Sequence, residues 1–91
     1  MAEPPTTYTL TIKEHRFEPR ELKVPAGKPL TLTVQNRDAT PEEFEIHQLK
    51  IEKIVAAGKD MIVRLGALKP GRYDFVGEFN EGTAKGTLVA E

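Results

Sequence analysis

Apolar and polar side chains alternate along most of this chain. Tyr8, Leu10 and Ile12 alternate with Thr9, Thr11 and Lys13, the period of two that a strand with one buried face requires. Leu22 and Val24 make a second short run, stopped by Pro25-Ala26-Gly27-Lys28-Pro29. Leu30, Leu32 and Val34 against Thr31, Thr33 and Gln35 make a third, closed by the polar turn cluster Asn36-Arg37-Asp38. After a turn at Gly58-Lys59, Met61, Val63 and Leu65 alternate again. Lys69-Pro70-Gly71 signals a tight turn into Tyr73 and Phe75, and Thr87-Leu88-Val89 closes the chain. Short strands separated by regular turn signals describe an all-β sandwich or barrel.

The stretch from Thr40 to Val55 carries two patterns. As a helix, Thr40 is the N-cap, Pro41 the first helical residue and Glu43 the capping-box partner, with Phe44, His47, Ile51, Ile54 and Val55 on one face. As strands, Phe44 and Ile46 alternate with Glu43, Glu45 and His47, and Leu49, Ile51, Lys53 and Val55 form a second run. Residues 1–7, which hold Pro4 and Pro5, are expected to be a flexible tail or linker, with one domain over residues 8–91.

A chain of 91 residues with 38% hydrophobic content is near the small end of what one core supports. The net charge is −1, with both signs scattered, so there is no polybasic footprint for nucleic acid. No apolar run approaches a membrane span, so no membrane insertion is expected, and residues 1–7 lack the charged-then-apolar plan of a signal peptide. The absence of cysteine matters most, because it excludes disulfides, thiolate metal sites and thiol nucleophiles. There is also no serine and no phosphate-cradling Gly-Lys-Thr loop, so the usual hydrolase and nucleotide signatures are missing. No residue is assigned a catalytic role.

The order of features is more specific than the fold class. Phe17-Glu18-Pro19, Leu22-Lys23-Val24-Pro25-Ala26-Gly27 and Leu30-Thr31-Leu32-Thr33-Val34-Gln35-Asn36, followed by Pro70-Gly71-Arg72-Tyr73-Asp74-Phe75 and Lys85-Gly86-Thr87-Leu88-Val89, resemble the cupredoxin family over about residues 8–91. The resemblance implies a Greek-key β-sandwich and makes residues about 43–48 and 50–55 strands. Blue-copper members take one His from the loop after the Asn-ended strand, and Cys, His and usually Met from the loop before the last strand. Here the resemblance puts Gly77, Asn80 and Ala84 at the latter three positions, and Glu42 or Glu43 at the first. Type 1 copper is excluded by chemistry, since its trigonal site needs the thiolate and both imidazoles.

Pro41-Glu42-Glu43-Phe44-Glu45, Glu52-Lys53-Ile54-Val55 with Gly58, and Gly77-Glu78-Phe79-Asn80 ahead of Thr83-Ala84-Lys85-Gly86-Thr87 are similar to the small cupredoxin-like proteins of bacterial periplasmic iron-uptake systems built around a membrane iron permease. There the position of Asn80 is often His. This narrower resemblance implies a periplasmic protein that binds or relays iron or copper and docks to the permease or its partner proteins. The alternative is a metal-free accessory or protein-interaction domain of a larger extracytoplasmic protein. The sequence shows neither a redox metal with an open position nor an electron acceptor, so a self-sufficient ferrous oxidase is not expected.

In a cupredoxin sandwich the loop after Asn36 and the loop before the last strand share one end, so several of Glu42, Glu43, Glu45, Glu78, Asn80 and Glu81 are expected to converge there, the metal set being Glu42, Glu43, Glu78 and Asn80 with His47 as the nearby imidazole. Oxygen donors of that kind suit hard cations and not Cu(I). The bland alternative for the glutamates is a solvated loop face. Phe79 is expected to plug the vacated copper position. His15, in Lys13-Glu14-His15-Arg16, reads as a solvated turn residue.

Overall fold

Every alternating run forms a strand in the structure, a computed structural model that describes residues 6–91. The described residues contain β1 (Thr7–Lys13), β2 (Arg16–Glu18), β3 (Glu21–Val24), β4 (Leu30–Asn36), β5 (Glu42–Ile46), β6 (Ile51–Val55), β7 (Asp60–Leu65), β8 (Gly71–Gly77) and β9 (Lys85–Ala90). They form two sheets, β2-β1-β4-β7 and β3-β9-β8-β5-β6. The pairs β1/β4 and β3/β9 are parallel and the rest antiparallel. This is the expected cupredoxin-like β-sandwich. No helix among the described residues is long and apolar enough to cross a membrane.

The expected tail of residues 1–7 lies mostly outside the described residues, but its last two positions are already structured. Thr7 pairs with Thr31, and the Thr6 carbonyl accepts the Thr31 N–H at 2.9 Å.

The ambiguous stretch resolves as strands. β5 pairs with β6 on one side and β8 on the other, and these ladders outweigh the helical periodicity. The first strand ends sooner than the expected residue 48, because His47–Leu49 form a single 3-10 turn closed by Lys50 in the left-handed region (φ 56°). His47 therefore leaves the strand and sits beside it.

Leu10, Ile12, Leu32, Val34, Phe44 and Phe75 are among the residues with no exposed surface. Phe17, Phe44 and Phe75 meet at the centre. The Phe17 ring stands edge-on to Phe75 at 4.9 Å and to Phe44 at 5.8 Å, the geometry the ring quadrupoles favour. Tyr8 and Tyr73 are only half-buried at the margin of the core.

Asn36 ends β4 and is fully buried. Its Nδ2 donates to the Thr40 carbonyl (2.9 Å) and the Val55 carbonyl (3.1 Å), and its Oδ1 accepts the Asp38 N–H (2.9 Å). One side chain thus ties the loop entering β5 to the end of β6, which sets where the glutamates of β5 begin. The Asn36→Ala variant strands the buried Val55 carbonyl, the partly buried Thr40 carbonyl and one N–H. It should lose about 2–3 kcal/mol of stability, read as a lower urea midpoint with an unchanged slope.

Candidate functional site

A strand presents consecutive side chains to opposite faces, and β5 shows what this does to a run of glutamates. Glu42, Phe44 and Ile46 face the core, while Glu43 and Glu45 face outward. The expected cluster is therefore divided in two by the sheet itself.

On the inner face, Glu42 is 1% exposed. Its Oε1 accepts Asn80 Nδ2 at 2.8 Å, and its Oε2 accepts the backbone N–H groups of Phe79 (2.9 Å) and Glu43 (3.1 Å). A carboxylate this deep is tolerable because each oxygen finds donors. Gly77 makes the room. A Cβ there would stand 2.6 Å from both Cδ and Oε1 of Glu42 and 2.8 Å from the Ala84 methyl. Glu42 thus meets two of the positions, Gly77 and Asn80, that the resemblance aligns with copper ligands, so of the two aligned glutamates it is the one that takes the first histidine's place.

The vacated position is filled by Glu42, and not, as expected, by Phe79, which is 53% exposed. The reason is the turn Glu78–Asn80: Phe79 gives its N–H to the carboxylate while its ring points to solvent. The residues present do not fit a copper ion here. The donors are amide groups already committed to Glu42, and the space is occupied.

On the outer face, the structure brings Glu43, Glu45, Glu78 and His47 together with a glutamate the sequence did not single out, Glu52. Glu45, His47 and Glu78 form one group and Glu43, Glu45 and Glu52 a second, each with one ligand atom per residue inside a 4.8 Å span. Glu45 belongs to both. It lies directly across from Glu52 in the β5/β6 ladder and from Val76 in the β5/β8 ladder.

Glu45 is only 6% exposed although it points away from the core. His47 Nε2 stands 3.0 Å from its Oε2 and 3.9 Å from Oε2 of Glu78. With the carboxylates ionised, both of those oxygens are buried without a hydrogen-bond donor, so the short Glu45–His47 contact is not an aligned N–H···O bond. Burial first, then hydrogen bonding and repulsion from Glu78 and Glu43, push the Glu45 carboxyl up to about 8.

His15 lies apart from both groups, with Nε2 3.4 Å from Thr40 Oγ1 and 4.0 Å from Asp38. Asn80 supports Glu42 and takes no part in the outer cluster. Parity in the sequence already placed His47 on the face of Glu43 and Glu45. The contribution of Glu52 needed the register of β6, which no local signal supplies.

The profile of the family described as "Cupredoxin-like domain" matches residues 1–90. An uncharacterized protein of Rickettsia prowazekii (strain Madrid E), RP394, is 41% identical over 80 residues, covering 88% of this chain and 64% of that protein. The chain thus spans under two thirds of that relative's length. Auracyanin A, a "blue" copper protein of Chloroflexus aurantiacus, superposes with a TM-score of 0.80 at 16% identity, covering 97% of this chain and 100% of that one. The metal binding domain of the Cu(I) exporting P-type ATPase CopA of Streptococcus pneumoniae D39 superposes at 0.78 with 15% identity, covering 93% and 84%.

Two outcomes follow from this geometry. Gly77→Ala should destabilise by about 1–3 kcal/mol through overpacking. In a Glu42→Ala background part of that extra cost should disappear, with the Ala84 contact remaining, a coupling that a double-mutant cycle of urea midpoints reads. Second, the fold raises the Glu45 carboxyl above its ordinary value, so the folded chain keeps a proton the unfolded chain has lost. That contribution is complete below about pH 4.5 and is lost as pH rises through about 8. The metal-free protein should therefore show falling urea midpoints across that window, and Glu45→Gln should flatten the profile.

Proposed function

We propose, from the premise that the chain belongs to the cupredoxin-like domain family, that it is a metal-handling domain of periplasmic iron uptake in bacteria. It binds or relays iron or copper on the outer face of its second sheet, without a type 1 copper centre. The observation that carries this is Glu45: a carboxylate oxygen buried, without a hydrogen bond, and 3.0 Å from an imidazole nitrogen.

That spacing suits two ligands of one ion. Atoms bound at about 2.1 Å in adjacent positions of an octahedral shell stand about 3.0 Å apart. Two carboxylates and an imidazole favour Fe(II), Fe(III) or Cu(II) over Cu(I), which prefers soft sulfur donors. The His47 side chain is 68% exposed, so the site is open to exchange with solvent or a partner, as relaying requires. Loading displaces the proton held on Glu45, which makes binding tighter as pH rises. The chain's residues supply binding and proton release; electron transfer would need a partner. The same fold occurs as the metal binding domain of a Cu(I) exporting P-type ATPase, and we read this chain as acting beside a membrane transporter too, here an iron permease or other periplasmic iron-uptake proteins.

A second reading, a metal-free accessory or protein-interaction domain, is favoured by the exposed Phe79 ring on the turn beside the site. Calorimetric titration of the metal-stripped chain with anaerobic Fe(II) and with Cu(II) separates the two. Metal handling predicts saturable binding that weakens by at least roughly tenfold in His47→Ala and Glu78→Gln and is unmoved by His15→Ala, whose imidazole lies apart from both groups. Absence of binding by either ion leaves the interaction domain.

A further inference from the structure

The outer cluster holds more carboxylate than one ion needs. Glu43, Glu45, Glu52 and Glu78 are gathered with a single imidazole, and no lysine or arginine is paired with any of them among the ion pairs described. One divalent cation would compensate half of that charge. The β5/β6 ladder also sets Glu45 directly opposite Glu52, a carboxylate pair that becomes like-charged, and unfavourable across strands, once Glu45 gives up its proton.

The groups are arranged on two flanks of Glu45. Toward β8 lie Glu78, in the turn that follows that strand, and His47. Toward β6 lies Glu52, with Glu43 one step along β5 on the same face. Glu45, more than nine-tenths buried and with an oxygen lacking any donor, is the only member common to both groups.

We propose that this cluster is a two-ion site, in which the Glu45 carboxylate bridges one cation held by His47 and Glu78 and a second held by Glu43 and Glu52. The two-ion arrangement rests on the metal-handling reading above and adds to it a second subsite and a class of occupant. The first subsite has a nitrogen donor and the second only oxygens, so the second takes hard cations such as Mn(II) or Fe(III). Two divalent ions balance the four carboxylates, and water completes each shell on the exposed side, where Glu52 is open to solvent. The cross-strand pair of glutamates, repulsive when both are ionised, becomes a pair of ligands in the loaded sheet.

The test is titration of the whole metal-stripped chain with Mn(II), followed by calorimetry and by electron paramagnetic resonance. Two ions per chain are expected, with the hyperfine-resolved signal of isolated Mn(II) giving way to the broadened signal of an exchange-coupled pair at saturation. In Glu52→Gln the stoichiometry should fall to one and the coupling should vanish. In His47→Ala the all-carboxylate subsite should survive alone, and in Glu45→Gln both should weaken. Thermal unfolding of each variant checks the fold. One ion per chain, with affinity indifferent to Glu52→Gln, overturns the two-ion site and leaves the single His47 site standing. No Mn(II), Fe(II) or Cu(II) bound by the wild-type chain overturns both.

Discussion

The pleat of β5 is the constraint on which the rest depends. Five residues, Glu42 to Ile46, pass through the second sheet with ladders on both sides, and strand geometry sends neighbours to opposite faces. Adjacent glutamates therefore do unrelated things. Glu42 becomes part of the core and Glu43 and Glu45 part of a surface cluster, although nothing in their chemistry distinguishes them. A one-residue slip would exchange the two roles, placing two carboxylates in the core and one outside it. Asn36 helps to prevent that slip by holding the Thr40 and Val55 carbonyls at the two ends of the β5/β6 hairpin.

The inner face shows how a sandwich closes where relatives of the blue-copper class place a metal. A metal there joins a loop of one strand pair to the loop before the last strand. Here Glu42 makes the same connection with hydrogen bonds to Asn80 and to the Phe79 and Glu43 backbone. The exchange required a glycine at position 77, because a carboxylate occupies more room than any side chain there would leave. Small residues at 77 and 84 and a donor at 80 are thus mutually dependent with Glu42, as parts of one packed network.

The outer face has the opposite character. Its carboxylates are poorly satisfied, one carries a proton well above the usual carboxylate range, and two oxygens have no donor. A fold selected only for stability would not keep Glu45 buried opposite Glu52, since local conflicts of this kind concentrate at functional positions. The contrast between a satisfied inner carboxylate and an unsatisfied outer group is what directs attention to the outer face as the place where the protein meets a cation.

Much of this was legible in the chain alone. Alternation in Tyr8–Lys13, Leu30–Gln35 and Met61–Leu65 settled strands, because a half-buried strand needs period two and little else in sequence produces it. The absence of cysteine settled the fate of type 1 copper. Parity placed His47 away from the core. Other features had no local signature. The local pattern of Thr40 to Val55 slightly favours a helix, and only the pairing of β5 with β6 and β8 decides for strands. That Glu42 and not Phe79 fills the vacated position depended on the shape left by Gly77 and Ala84, 35 and 42 residues further along the chain. The recruitment of Glu52 to Glu45 depended on register. Sequence determines what each residue can bond and which period it fits; which residues then share a face, a gap or a proton is a property of long-range pairing, and only the tertiary structure decides it.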